Sequence, residues 1–245
     1  TPIAFFVKNE NYKQEEYNEL KDKFRPSHAD FTYFSKFGIN SSSGGGRASA
    51  RETVSRVIGG SVAKLLLMQK TNISIDAKIE KIGKWDYLTQ KDEIDKEFDR
   101  LKIEGDSIGG TITCEINNIP AGLGEPVFDK LSADLAKAMI SIPSVKAFEI
   151  GDGFKGCMEY GSEQIDNWNE DFSTKTNHSG GIQGGISNGM KVFFRVGLKP
   201  VSTLYREVSC IDKDGEIHKI ENKGRYDICV LPRAVVIVES MAALI

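Results

Sequence analysis

The sequence predicts an α+β fold of antiparallel sheets covered by helices. Three observations carry that expectation. Segments of helical and strand periodicity alternate along the chain, an Asp214-Gly215 pair between two strand-like runs is a strong hairpin signal, and no regular βαβ repeat argues for a doubly wound parallel sheet. The 245 residues read as one continuous domain, residues 1–245, because no Ser/Pro linker or charge block divides them.

In order along the chain, Thr1–Val7 reads as a strand, and Asp30 is placed to cap a short helix through Phe37. Ser49–Met68 is the clearest helix, with Val54, Val57, Ile58, Val62, Leu65 and Leu66 at helical spacing. Ile73–Ile82 alternates as a strand, and Lys91–Ile103 is a charged amphipathic helix. Gly110–Ile119 is strand-like. Pro126 then stands at a favoured first helical position, ahead of the Val127, Leu131, Leu135, Met139 stripe. Strands are expected at Lys146–Ile150, Val192–Leu198, Leu204–Ile211 and Glu216–Glu221, and a last helix from about Arg233 to the end.

Composition excludes several classes. Apolar residues make up 40% and charged residues 27%, a globular balance. A net charge of −3 gives no basic field to recommend nucleic acid as a partner. No apolar run approaches the ~20 residues of a membrane helix, and Thr1–Val7 lacks the basic start of a secretory signal. Cys114, Cys157, Cys210 and Cys229 form no CxxC pair, which reads as reduced thiols in a cytoplasmic protein. The three histidines stand far apart and outside any HExxH frame, so no metal is expected.

Glycine supplies 24 residues, and the excess is clustered. Gly44-Gly45-Gly46-Arg47-Ala48-Ser49-Ala50-Arg51-Glu52 leads into the strongest helix, with Ser49 and Glu52 in capping-box spacing. Free N–H groups at a helix start, with Arg47 and Arg51 beside them, favour an anion; the alternative is a flexible loop with two surface arginines. A second cluster, Ser179–Gly189, suggests tight bends or close approach of backbone to a ligand. Lys199-Pro200-Val201-Ser202-Thr203 ends a strand with a cation, a rigid bend and two hydroxyls, a set suited to phosphate or the edge of a flavin. His28, in Arg25-Pro26-Ser27-His28-Ala29-Asp30, is either a proton donor tuned near neutral pH or a residue of a capped turn. Arg225-Tyr226-Asp227 puts a cation and a carboxylate in one turn, which by itself reads as a surface ion pair.

Taken together, RPSHADFTY (25–33), GGGRASARET (44–53), EGDSIGG (104–110), PAGLGEPVFDKL (120–131), SGGIQGGISNG (179–189) and KPVST (199–203) resemble chorismate synthase over nearly all of the chain. The resemblance implies a β-α-β sandwich and a carbon–oxygen lyase. The reaction is an anti-1,4-elimination of phosphate from 5-enolpyruvylshikimate 3-phosphate to chorismate, the last common step of the shikimate pathway to the aromatic amino acids. It implies reduced FMN as cofactor and a homotetramer, with NADPH used only if the chain also reduces its own flavin. Arg47, Ala48, Ser49, Pro143, Ser144, Gly184, Lys199, Pro200, Val201, Ser202, Thr203 and Arg225 are then expected at FMN, and Arg51 at substrate phosphate or carboxylate. His28 matches the histidine that helps protonate reduced flavin, and Asp227 the aspartate that assists proton transfer near the flavin N5.

The chain departs from the family pattern in four places. Family members carry, ahead of the part matching Thr1, a segment with another histidine and several arginines. Their connection corresponding to Trp85–Thr89 is longer, as though a loop were skipped here. Asn40–Ser43 stands where an arginine is usual, and the family's GRHDPC is GRYDIC at Gly224–Cys229. A non-catalytic flavin- or anion-binding relative, and an added NADPH-dependent flavin reductase activity, are the competing functions.

Overall fold

A computed structural model describes residues 2–8, 22–39, 46–221 and 226–245. The elements are β1 (Lys23–Phe24), α1 (Asp30–Phe37), two 3₁₀ turns (Gly46–Ala48 and Ala50–Glu52), α2 (Thr53–Lys70), β2 (Ser74–Ile82), β3 (Trp85–Asp86), α3 (Lys91–Glu104) and β4 (Gly110–Asn117). They continue with α4 (Leu131–Ile140), β5 (Val145–Ile150), α5 (Gly153–Gly156), β6 (Ile182–Gln183), β7 (Ile186–Ser187), β8 (Val192–Leu198), β9 (Glu207–Asp212), β10 (Ile217–Glu221) and α6 (Leu231–Leu244).

The central sheet has strand order β3-β2-β4-β8-β5, with every neighbouring pair antiparallel. Alternation decides which face is buried. In β8, Val192, Phe194, Val196 and Leu198 point inward, opposite Ile112, Cys114 and Ile116 of β4 and Ile75, Ile79 and Ile82 of β2. Helices α6 and α4 cover that face through Leu231, Ala234, Val238, Leu135 and Met139, all buried. A second sheet, β1-β9-β10, carries the Asp214-Gly215 hairpin, and Phe24 of β1 packs on Phe31 and Phe34 of α1. This is the α+β arrangement of antiparallel sheets and helices that the sequence predicts.

Helix α2 packs on α6 rather than on the sheet, with Gly60 at the crossing. A Cβ there would stand 2.3 Å from Ser240 Cβ, so the close approach needs a residue without one. Because α2 lies in an outer layer, much of its apolar stripe remains exposed: Val54, Leu65 and Leu66 are 46%, 58% and 56% accessible.

Several local expectations are corrected. Residues 2–8 form no strand, and Ile3, Phe5 and Phe6 are exposed; apolar residues alone do not make a strand without a ladder partner. Asp30 is the first residue of α1, not its cap; its carboxylate instead accepts from Arg25 N at 3.1 Å and Nε at 2.8 Å. The Ser49 helix begins at Thr53, because the preceding residues wind as 3₁₀ turns; Ser49 Oγ accepts from Arg51 N, and Glu52 pairs forward with Arg56. Pro126 and Val127 lie in a loop, and α4 starts at Leu131, whose N–H is taken by Gly185 O at 2.8 Å. The strand expected from Leu204 starts at Glu207, since Tyr205 N is bonded to Gly105 O. Apart from these corrections, residues 85–89 join β3 to α3, with Asp86 Oδ1 accepting from Leu88 N and Thr89 N.

Candidate active site

A cleft of about 890 Å³ opens at one end of the central sheet, between the start of α2, the α4–β5 turn, the end of β8 and the start of α6. Its apolar wall is Ile142, Leu198, Val230, Ala234 and Ile237; its polar rim includes Ser49, Arg51, Ser144, Asp227 and Arg233. Two links hold the rim in place. Arg56 reaches from α2 to Ser141 Oγ at 2.6 Å, fixing the Ser49–Thr53 turn against the Ile142–Ser144 turn. Ser144 takes a left-handed backbone (φ 71°), rare for a residue with a side chain, and its carbonyl accepts from Lys199 N at 2.9 Å.

The 104–110 run acts as a seat for the cleft's other two loops. Ser107 Oγ donates to Val201 O (2.7 Å), Tyr205 N donates to Gly105 O (2.8 Å), Arg206 pairs with Asp106 (3.0 Å), and Ile108 N donates to Ile228 O (2.8 Å). A motif without an assigned ligand thus positions both the Lys199–Thr203 run and the loop that carries Asp227.

His28 is brought to this end of the molecule by contacts with the same run. Its Nε2 lies 3.0 Å from Thr203 Oγ1, and its Nδ1 lies 3.0 Å from Pro26 O. A carbonyl only accepts, so the ring proton of neutral His28 belongs on Nδ1, and Nε2 accepts from the threonine hydroxyl. Burial, then the Arg25 charge, lower the His28 pKa below its ordinary value, favouring this neutral form. Lys199 Nζ bonds Ser27 O at 3.3 Å and also Ser202 Oγ; burial, then the Lys146 charge, lower its pKa.

The sequence candidates therefore divide. Ser49, Arg51, Pro143, Ser144 and Asp227 line one cleft. Arg47 and Ala48 sit in the 3₁₀ turn just before Ser49, and Lys199, Pro200, Val201, Ser202 and Thr203 follow Leu198 at the cleft edge, with His28 against them. Gly184 is not among the lining residues. It and Gly185 (φ 61° and 88°) form the two-residue turn of the β6–β7 hairpin, where positive φ at both positions favours glycine for the turn itself. Arg225 and Asn40–Gly45 lie outside the described residues. The partner seen for Asp227 is Arg233, Nη1 to Oδ2 at 3.0 Å.

Tyr205, Tyr226, Arg233 and Ile237 were not expected in the cleft. Arg233 stands in the first turn of α6 and Ile237 one turn further on, a helical spacing that placed both on one face. Nothing in the local pattern announces Tyr205, whose place follows from its bond to Gly105.

Fold and cleft together define an α+β protein with a pocket that has a broad apolar wall and a polar rim carrying Arg51, Arg233 and Asp227. A family model described as chorismate synthase matches residues 1–245. The chain is 48% identical to the chorismate synthase of Christiangramia forsetii, over all of this chain and 74% of the relative. It is 50% identical to that of Bacteroides thetaiotaomicron, over 99% of this chain and 74% of the relative. The first match spans 266 aligned positions, so the relative carries extra residues inside the aligned region. A crystal structure of chorismate synthase superimposes with a TM-score of 0.68 at 26% identity, covering 88% of this chain and 68% of the other. The chain belongs to the chorismate synthase family.

Proposed function

We propose that the chain eliminates phosphate from 5-enolpyruvylshikimate 3-phosphate to give chorismate, with reduced FMN bound in the cleft described above. Family membership makes it a carbon–oxygen lyase. The observation that carries the cofactor assignment is the meeting of Ser49, Arg51, Pro143, Ser144 and Asp227 around one apolar wall. These residues fit a flavin mononucleotide. Ile142, Leu198, Val230 and Ile237 offer a surface for a flat ring, while Ser49 and Arg51 at a helix start suit a phosphate.

Reduced FMN, when bound, supplies transient electron donation in a reaction with no net redox change. The protein's own residues have four tasks. Arg51 and the Ser49 turn bind anionic groups. Ser144, Lys199 and Thr203 fix the cleft edge. His28 holds or accepts a proton at Nε2, the nitrogen left without hydrogen by the Pro26 contact. Asp227, kept beside Arg233, accepts a proton at its carboxylate.

The homotetramer reading is supported by the exposed α2 stripe of Val54, Leu65, Leu66 and Met68, apolar surface that a second subunit would cover. Light scattering at micromolar concentration tests it; a monomer contradicts it. No helix among the described residues is long and apolar enough to cross a membrane. A cytoplasmic location remains part of the proposal, as does NADPH use. Anaerobic incubation of the substrate with pre-reduced FMN tests the whole reading by the appearance of chorismate and free phosphate.

A further inference from the structure

We propose that Tyr226 is a positioning residue: its ring, stacked on Tyr205, ties the loop carrying Asp227 to the opposite lip of the cleft and so fixes the Asp227 carboxylate. The kinetic part of this proposal rests on the lyase reading; the structural part does not.

The two rings lie with centroids 4.5 Å apart and planes 23° from parallel, and both line the cleft. Tyr205 is a firm base for such a stack. Its N–H is bonded to Gly105 O at 2.8 Å, and the next residue, Arg206, pairs with Asp106 at 3.0 Å. On the other lip, the carbonyl of Ile228 is held by Ile108 N at 2.8 Å. Asp227 therefore sits between two tethers, the Tyr226 ring before it and the Ile228 carbonyl after it. Arg233 Nη1 then meets its Oδ2 at 3.0 Å.

The sequence gives this stack a reason. Tyr226 and Ile228 flank Asp227, and neither is a proline. A proline fixes its own φ, and isoleucine does not. The loop has no ring restraint of that kind beside Asp227, and an aromatic pair, which contributes stability beyond its buried area, supplies one. Tyrosine also offers a large flat face to the Tyr205 ring.

The test uses the full chain carrying Tyr226→Phe, Tyr226→His or Tyr226→Ala, read by amide hydrogen exchange, thermal melting and anaerobic kinetics with pre-reduced FMN. Tyr226→Phe keeps the stack and matches the parent in hydrogen exchange and melting. Tyr226→Ala speeds exchange across residues 204–206 and 226–230 by about 2- to 12-fold, the span that loss of one aromatic pair allows. It lowers kcat by a similar factor, leaves KM for the enolpyruvyl substrate unchanged, and melts only as far below the parent as the loss of one aromatic pair allows. Tyr226→His gives intermediate exchange and adds an inflection near pH ~6.5 to the kcat profile. Unchanged exchange in Tyr226→Ala overturns the proposal, and so does faster exchange with parental kcat, since the stack would then hold the loop without positioning Asp227. A parent chain that makes no chorismate overturns the lyase reading instead, while hydrogen exchange still decides the stack.

Discussion

His28 Nε2 and Thr203 Oγ1, 175 residues apart in the chain, meet at 3.0 Å. This contact joins the N-terminal RPSHAD turn to the KPVST run, and the run's first residue is bonded in turn to Ser144 of the cleft rim. A histidine that sequence alone leaves open as a turn residue is thereby set beside the cleft with its basic nitrogen defined.

Replacing His28 with alanine should leave the fold and flavin binding intact and slow chorismate formation by roughly 10²-fold or more, the scale of a positioned acid–base group. His28 is half-buried in a turn, so truncation opens no large core cavity. Steady-state rates and a melting curve check this. Unchanged turnover would return His28 to a structural role.

Protonation of His28 should weaken the fold. Its pKa in the folded chain is lowered from the ordinary 6.5, so the unfolded chain binds more protons just below pH 6.5. The associated stability is fully present above 6.5 and is lost as pH falls from there through the lowered folded value. His178 has the opposite sign. Its hydrogen bond to Asp152 at 2.7 Å raises its pKa, so that stability is present below 6.5 and lost as pH rises through the raised value. Denaturant midpoints across this range should show a shallower acid-side loss for His28→Gln than for the parent.

Asp227→Asn should lower turnover by roughly 10²-fold or more while substrate and FMN still bind, because the variant keeps shape and loses the proton acceptor. The Arg233 guanidinium that pairs with Asp227 is 75% exposed, so losing the ion pair should change stability by no more than ~1 kcal/mol. Single-turnover kinetics beside a flavin fluorescence titration separate the two effects.

FMN should bind more tightly when the enolpyruvyl substrate is present, because a bound flavin completes one wall of the pocket and the contact the two ligands share outweighs the repulsion between their charges. Equal flavin affinity with and without substrate would exclude this coupling.

Strands with an unbroken inside–outside alternation were legible in the sequence. Val192–Leu198 has the expected bounds because each inward residue meets the same sheet face. Boundaries failed where a tertiary bond decided them: Leu131 takes Gly185 O, and Tyr205 takes Gly105 O, and neither partner is a neighbour in sequence. In the cleft, Ser49 and Arg51 were legible because their motif carries local chemistry, whereas Asp227 was singled out only by the family resemblance. Of the tight bend and the ligand approach that the 179–189 glycines suggest, the structure shows the bend at Gly184, in the β6–β7 turn. Ile237 shares a helix face with Arg233 and could have been placed by that spacing, whereas Tyr205 reaches the cleft through its bond to Gly105, which no spacing rule reveals.

The most direct measurement is anaerobic conversion of 5-enolpyruvylshikimate 3-phosphate with pre-reduced FMN, following chorismate, released phosphate and flavin oxidation state together. Chorismate and phosphate should appear in equal amounts while the flavin ends reduced, as an elimination without net redox change requires. Flavin binding with no phosphate release would contradict the account and leave a non-catalytic flavin-binding relative.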